Sequence, residues 1–143
     1  MVDIYIRYDG ALRCSAKHGP SSTSFVTDAP VDNHGKGESF SPTDLVATAL
    51  GTCMLTTMGI LAKKRAWMID GIDAHVKKHM TLELPRKIAK LVVALNVPDE
   101  VAGAIDLASR AELEHAAHTC PVRLSLHPQI EVEASFKWGS ADS

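Results

Sequence analysis

The sequence predicts an α+β fold: a strand-rich N-terminus, one long central helix, a second sheet region, a second helix and a closing strand. Three observations carry this. Apolar residues alternate with polar ones at Ile4–Tyr8, Ile72–Val76, Ala89–Val97 and Ile130–Phe136, the period of a half-buried strand. The stretch from Leu45 to Ala62 is apolar at helical spacing behind a Ser-Pro cap. The order of these segments lacks the regular strand–helix alternation of a parallel sheet.

At 143 residues the chain is sized for a single domain, 1–143, with one core. Hydrophobic residues at 45% against 22% charged are a globular rather than a disordered balance. A formal charge of -2 gives no electrostatic reason for a nucleic acid or an anionic membrane as partner. The basic triplet Lys63-Lys64-Arg65 closes a helix, where cations are favoured anyway.

The elements follow in order. Ile4, Ile6 and Tyr8 mark the first strand, Asp9-Gly10 is a turn signal, and Leu12, Cys14 and Ala16 mark the second. The opening residues alternate like a strand and lack the layout of a secretory leader, so the expected compartment is a reducing cytoplasm. His18-Gly19-Pro20 breaks the second strand, and Ser24–Thr27 reads as a short third. Asp28–Phe40, with Pro30, Asn33, Gly35 and Gly37, reads as a long functional or mobile loop.

Ser41 caps the central helix, Pro42 fits its first position, and Asp44 completes a shortened capping box. Leu45, Ala49, Cys53, Thr57 and Leu61 define one face, widened by Val46, Leu50, Met54 and Met58. The helix is expected to end near Arg65–Trp67. Gly51 and Gly59 invite close neighbours at some cost in helix propensity. Four threonines, the polar cap and the basic end favour a core helix over a membrane span. A helix apolar over most of its circumference needs wrapping on several sides, and a partner subunit is an economical way to supply it.

The second sheet region runs from Ile72 as far as Leu84, turns at Pro85-Arg86-Lys87, and returns through Ala89–Val97. Pro98-Asp99-Glu100 starts another helix, bent or split by a new cap at Ser109. Pro121 breaks it and biases Cys120 away from helical dihedrals.

Two cysteines draw attention, since three in all make no disulfide framework. Cys53 lies about three turns inside its helix, too deep for the first-turn amides to lower its pKa. Alone it reads as a core thiol; as a nucleophile it needs a cation, best an arginine, whose charge survives burial. Cys120 has His115, His118 and Arg123 close in sequence and a turn's amides after it. A disulfide between them needs Cα atoms within about 7 Å. Cys14 reads as core. Zinc on Cys53, Cys120 and His118, with a fourth ligand from His75, His79 or His115, lacks the paired spacing of a structural site. Gly35-Lys36-Gly37 is no phosphate loop, and no Gly-x-Ser-x-Gly elbow occurs.

Phe40-Ser41-Pro42-Thr43-Asp44-Leu45, Leu50-Gly51-Thr52-Cys53-Met54 and Thr119-Cys120-Pro121-Val122, in this order and at this separation, resemble the OsmC/Ohr family of osmotically inducible and organic hydroperoxide resistance proteins. The likeness covers nearly the whole chain and is nearest the OsmC-like branch. It implies the OsmC-like fold as an intertwined homodimer, with active sites at the subunit interface. It also implies thiol-dependent reduction of organic hydroperoxides without a cofactor, recycled by a dithiol reductant of lipoyl or thioredoxin type. Cys53 matches the peroxidatic cysteine and Cys120 the resolving one. Asp44 stands where the family keeps a carboxylate, usually Glu, that holds a catalytic arginine. Arg13 is the nearest match to that arginine, with Arg7 as the alternative. The competing reading is a non-catalytic binding protein for a small apolar or thiol-bearing ligand on the same dimeric fold.

Overall fold

The structure is a computed structural model that describes residues 1–140. The chain forms two compact units, Met1–Val46 and a second that begins at Ala47.

The first unit is an antiparallel sheet of β1 (Ile4–Gly10), β2 (Arg13–His18) and β3 (Ser24–Asp28), in that order. The β1–β2 turn falls later than Asp9-Gly10 suggests. Ala11 and Leu12 both take left-handed dihedrals, φ 52 and 63, with Gly10 at φ 91 before them. That pair is the primed turn that suits the twist of a hairpin, and it moves Leu12 out of the strand. In β2 and β3, Arg13 stands opposite Asp28 and Cys14 opposite Thr27.

The segment after β3 is not an open loop. Asp28 N–H donates to Phe40 O at 3.1 Å, Ala29 N–H to Leu12 O at 3.3 Å, and Gly37 N–H to Ala29 O at 3.1 Å. A 3-10 turn occupies Val31–Asn33. At Gly35 a Cβ would stand 1.8 Å from Ala29 O, so only glycine lets the chain fold back on itself there.

α1 (Pro42–Arg65) opens with the capping box in full. Asp44 N–H donates to Ser41 Oγ at 3.1 Å, and Ser41 N–H donates to Asp44 Oδ2 at 2.8 Å. Ser41 itself is 2% exposed.

The second unit holds the body of α1 and a sheet of β4 (Asp73–Met80), β5 (Ile88–Val97) and β6 (Glu131–Trp138). β5 is central, antiparallel to β4 and parallel to β6. Between them run α2 (Asp99–Ala104), α3 (Leu107–His118) and α4 (Pro121–Ser125). The second helix is therefore three. Asp106, not Ser109, caps α3: Ser109 N–H donates to Asp106 Oδ1 at 3.0 Å and its hydroxyl to Oδ2 at 2.8 Å. Strand β4 stops at Met80, short of Leu84, and a register shift lies between His79 and Met80. Opposite that shift Ile88 pairs with Met80 and Lys90 with His79, leaving Ala89 as the extra residue. The bulge flips the buried face, so Ile88 takes the inward place that simple alternation assigned to Ala89.

The core of this unit is Leu50, Met54 and Met58 of α1, Leu91, Val93 and Leu95 of β5, and Leu113, Ala117 and Cys120, all fully buried. The inward stripe of α1 is Leu50, Met54, Met58 and Ala62, and the Cys53 line lies half-buried on its flank. A helix apolar all round does not reveal by periodicity which face will be covered best. Gly51 sits against β4, where a Cβ would stand 2.8 Å from Val76 Cγ2. Gly59 has nothing within 4 Å of that position. Arg65 pairs with Glu112 at 2.7 Å and ties the end of α1 to α3. Arg110 lies 5.0 Å over the Trp138 ring, and Trp138 Nε1 donates to Glu114 at 2.7 Å, which fastens α3 to the end of β6.

Candidate active site

In the second unit Cys53 of α1 lies close enough to Cys120, at the start of α4, to act on its ionisation. All three cysteines are free thiols. Cys120 is 0% exposed, whereas Cys53 is half-buried. Pro121 builds this corner. Cys120 is held in extended dihedrals, φ -65 and ψ 146, as the N-cap of α4, with the proline at its first position. Its sulfur accepts from Arg123 N–H at 3.5 Å.

Burial is the largest influence on Cys120 and pushes its thiol above the usual range. The Arg123 amide pulls the other way, and nearby Cys53 adds to the rise. Cys120 therefore stays protonated through neutral pH. Of the pair, Cys53 is the less buried residue, with Thr57 Oγ1 donating to its carbonyl at 2.8 Å one turn further on.

α1 and α3 border a pocket of about 370 Å³ lined by Thr57, Ile60, Leu61, Glu112, His115 and Thr119, among others. Thr119 directly precedes Cys120. The walls are mainly apolar, with Lys64 and Glu112 supplying one charge of each sign, the composition of a small-ligand site.

In the first unit, Arg13 is part of a carboxylate cluster. Its Nη2 donates to Asp28 Oδ2 at 3.3 Å and also to Glu38. Asp28 is 1% exposed, and its Oδ2 also accepts from Glu38 N–H at 3.0 Å. That amide, then the Arg13 guanidinium, draw the Asp28 carboxyl below the usual range against the opposing effect of desolvation. The carboxylates on Arg13 are Asp28 and Glu38, and Asp44 accepts the Ser41 amide. Arg7 pairs with its neighbour Asp9 at 2.7 Å, and its side chain is 81% exposed. Sequence reasoning missed Asp28 and Glu38. The facing of Arg13 and Asp28 depends on a turn displaced from Asp9-Gly10, and Glu38 arrives from a segment read as irregular. Cys14 lies half-buried in β2. Among the described residues no group of three His, Cys, Asp or Glu side chains is placed to hold a metal ion.

The profile of the OsmC-like protein family matches residues 35–135, a stretch that includes Asp44, Cys53 and Cys120 and leaves Arg13 and Asp28 outside. The chain belongs to the OsmC-like family. It is 41% identical to a Psychrobacter arcticus protein described as an osmotic stress induced and detoxification response protein, over 95% of this chain and 96% of that one, with a TM-score of 0.86. More distant likenesses show the fold. An organic hydroperoxide resistance protein OsmC from Legionella pneumophila matches at TM-score 0.74 and 12% identity, over 96% of each chain. An organic hydroperoxide resistance protein from Vibrio cholerae, with captopril in one of its active sites, matches at 0.73 and 14%, over 95% of this chain and 90% of that one. No curated protein matches the chain.

Proposed function

We propose that this OsmC-like protein is a thiol peroxidase that reduces organic hydroperoxides to alcohols through Cys53 and Cys120. The observation that carries the reading is the proximity of a half-buried Cys53 to a fully buried Cys120, whose thiol Cys53 helps to push up. The Cys53 thiolate attacks the terminal oxygen of ROOH. The O–O bond breaks, the alkoxide takes a proton and leaves as ROH, and Cys53 becomes a sulfenic acid. The Cys120 sulfur then attacks Cys53, its proton leaves with the hydroxyl as water, and a disulfide closes. A dithiol reductant of lipoyl or thioredoxin type reopens it by two exchanges and is itself oxidised to a disulfide. Such a reductant is kept available in a reducing compartment such as the cytoplasm.

Arg13 is the cation assigned to the Cys53 chemistry, and Asp44 holds the start of the helix that carries Cys53. The apolar walls of the α1–α3 pocket favour an alkyl or lipid hydroperoxide over hydrogen peroxide. The working form is an intertwined homodimer. In its support, Ile4, Tyr5, Ile6 and Tyr8 of β1 are 62–70% exposed, an apolar ribbon that a second chain covers.

The test is consumption of cumene or tert-butyl hydroperoxide with dithiothreitol or dihydrolipoamide. Saturable turnover that disappears in Cys53→Ser is the expected result; no turnover with either reductant contradicts it. The pocket supports one other reading, a binding protein for a small apolar or thiol-bearing ligand. That reading requires tight binding that survives alkylation of both cysteines.

A further inference from the structure

We infer that Asp28 is the positioning residue for Arg13: a buried carboxylate, directly opposite on the neighbouring strand, that clamps one terminal nitrogen of the guanidinium and leaves its other donors free. The inference rests on the role proposed above for Arg13.

The register makes the pair. Arg13 and Asp28 are cross-strand partners in β2 and β3, and directly opposed residues project from the same face. Asp28 is fixed from several sides. Its own amide bonds Phe40 O, its Oδ2 receives the Glu38 amide, and the chain after it is folded back tightly enough to require Gly35. A carboxylate held so firmly aims whatever it binds. Glu38 contacts the same Nη2 from an exposed side chain, so Asp28 is the rigid arm of the clamp and Glu38 the adjustable one.

The clamp engages Nη2 alone. Among the described residues Arg13 Nε and Nη1 have no acceptor, so two donors of the fork remain open. Asp28 Oδ1 is buried without a donor, which leaves an acceptor for a closer grip on the guanidinium. Asp44 accepts the Ser41 amide in the capping box at the head of α1.

The test is the pH dependence of Cys53 alkylation by a neutral reagent, in a Cys14→Ser, Cys120→Ser background, for Arg13→Gln, Asp28→Asn and Asp28→Glu. Simple electrostatics gives a sign to exploit. Removing a negative charge near a thiol lowers its pKa, whereas losing the aim of its arginine raises it. Asp28→Asn is expected to move the profile up by about one unit, a tenfold smaller thiolate fraction at a fixed pH below it. Arg13→Gln should move it as far, and Asp28→Glu less far. Should Asp28→Asn not fold, Asp28→Glu carries the decision by its smaller upward shift. A shift in Arg13→Gln with none in either Asp28 variant overturns the positioning role and leaves the proposed function standing. No shift in Arg13→Gln overturns the role of Arg13 itself.

Discussion

Cys53 and Cys120 lie close together as unequal partners, a half-buried residue beside one that solvent does not reach. The inequality divides the labour. Cys53→Ser is expected to abolish hydroperoxide turnover. Cys120→Ser should still react once, leaving a sulfenic acid on Cys53 that dimedone traps, while steady-state turnover with a dithiol collapses. Cys14→Ser should change neither rate.

The raised Cys120 thiol makes stability depend on alkaline pH. Folding favours the protonated form, so this contribution is intact below the unfolded thiol's pKa of about 8.5 and fades as pH climbs through the higher folded value. Asp28 works at the other end. Its folded carboxyl lies below the usual value, so its contribution is present above about pH 3.9 and is lost as pH falls through the folded one. Melting curves across pH should lose the alkaline slope in Cys120→Ala and part of the acid slope in Asp28→Asn.

The capping box separates two jobs of Asp44. Ser41→Ala should cost about 1 kcal/mol of stability, the usual loss for a cap, with little change in turnover per folded molecule. Asp44→Asn keeps an acceptor for the Ser41 amide and removes only the charge. A loss of turnover larger than the loss of stability assigns that charge a role beyond the cap; equal losses confine it to the helix start.

The segments legible in the sequence were those governed by local rules. Ser41-Pro42-Thr43-Asp44 spells a capping box, and both reciprocal bonds form. Cys120-Pro121 spells an extended residue before a helix start, and it is one. What stayed hidden depends on register and tertiary contact. Leu12 lies in the turn because Ala11 and Leu12, without a glycine between them, adopt the left-handed pair. Ile88 is buried because a bulge across from it shifts the phase of β5. The buried stripe of α1 is Leu50, Met54 and Met58 rather than the Cys53 line, since an all-round apolar helix takes its inward face from the sheet beneath it. The Arg13–Asp28 pair needs the correct hairpin turns before it can be seen at all.

Gly51 reports on that helix-to-sheet contact. An alanine there gains about 1 kcal/mol of helix propensity and meets Val76 Cγ2, a stiff branched side chain, at 2.8 Å. Overpacking of this kind costs about 1–3 kcal/mol, so Gly51→Ala should lose stability on balance. Denaturant titration should show the loss, with Val76→Ala recovering part of it in the double variant.

The exposed β1 ribbon sets the expectation for assembly. Sedimentation equilibrium at micromolar concentration should give a dimer, and Ile6→Lys should shift it toward monomer. A wild-type monomer would remove the dimer from the account.

The most direct measurement is mass spectrometry of the reduced protein after one equivalent of cumene hydroperoxide, digested under non-reducing conditions. The expected product is a Cys53–Cys120 linked peptide pair, lighter by two hydrogens and restored by dithiothreitol, with one cumyl alcohol formed per chain. Unmodified cysteines, or over-oxidised Cys53 beside a still-reduced Cys120, would contradict a mechanism in which the buried thiol resolves the less buried one.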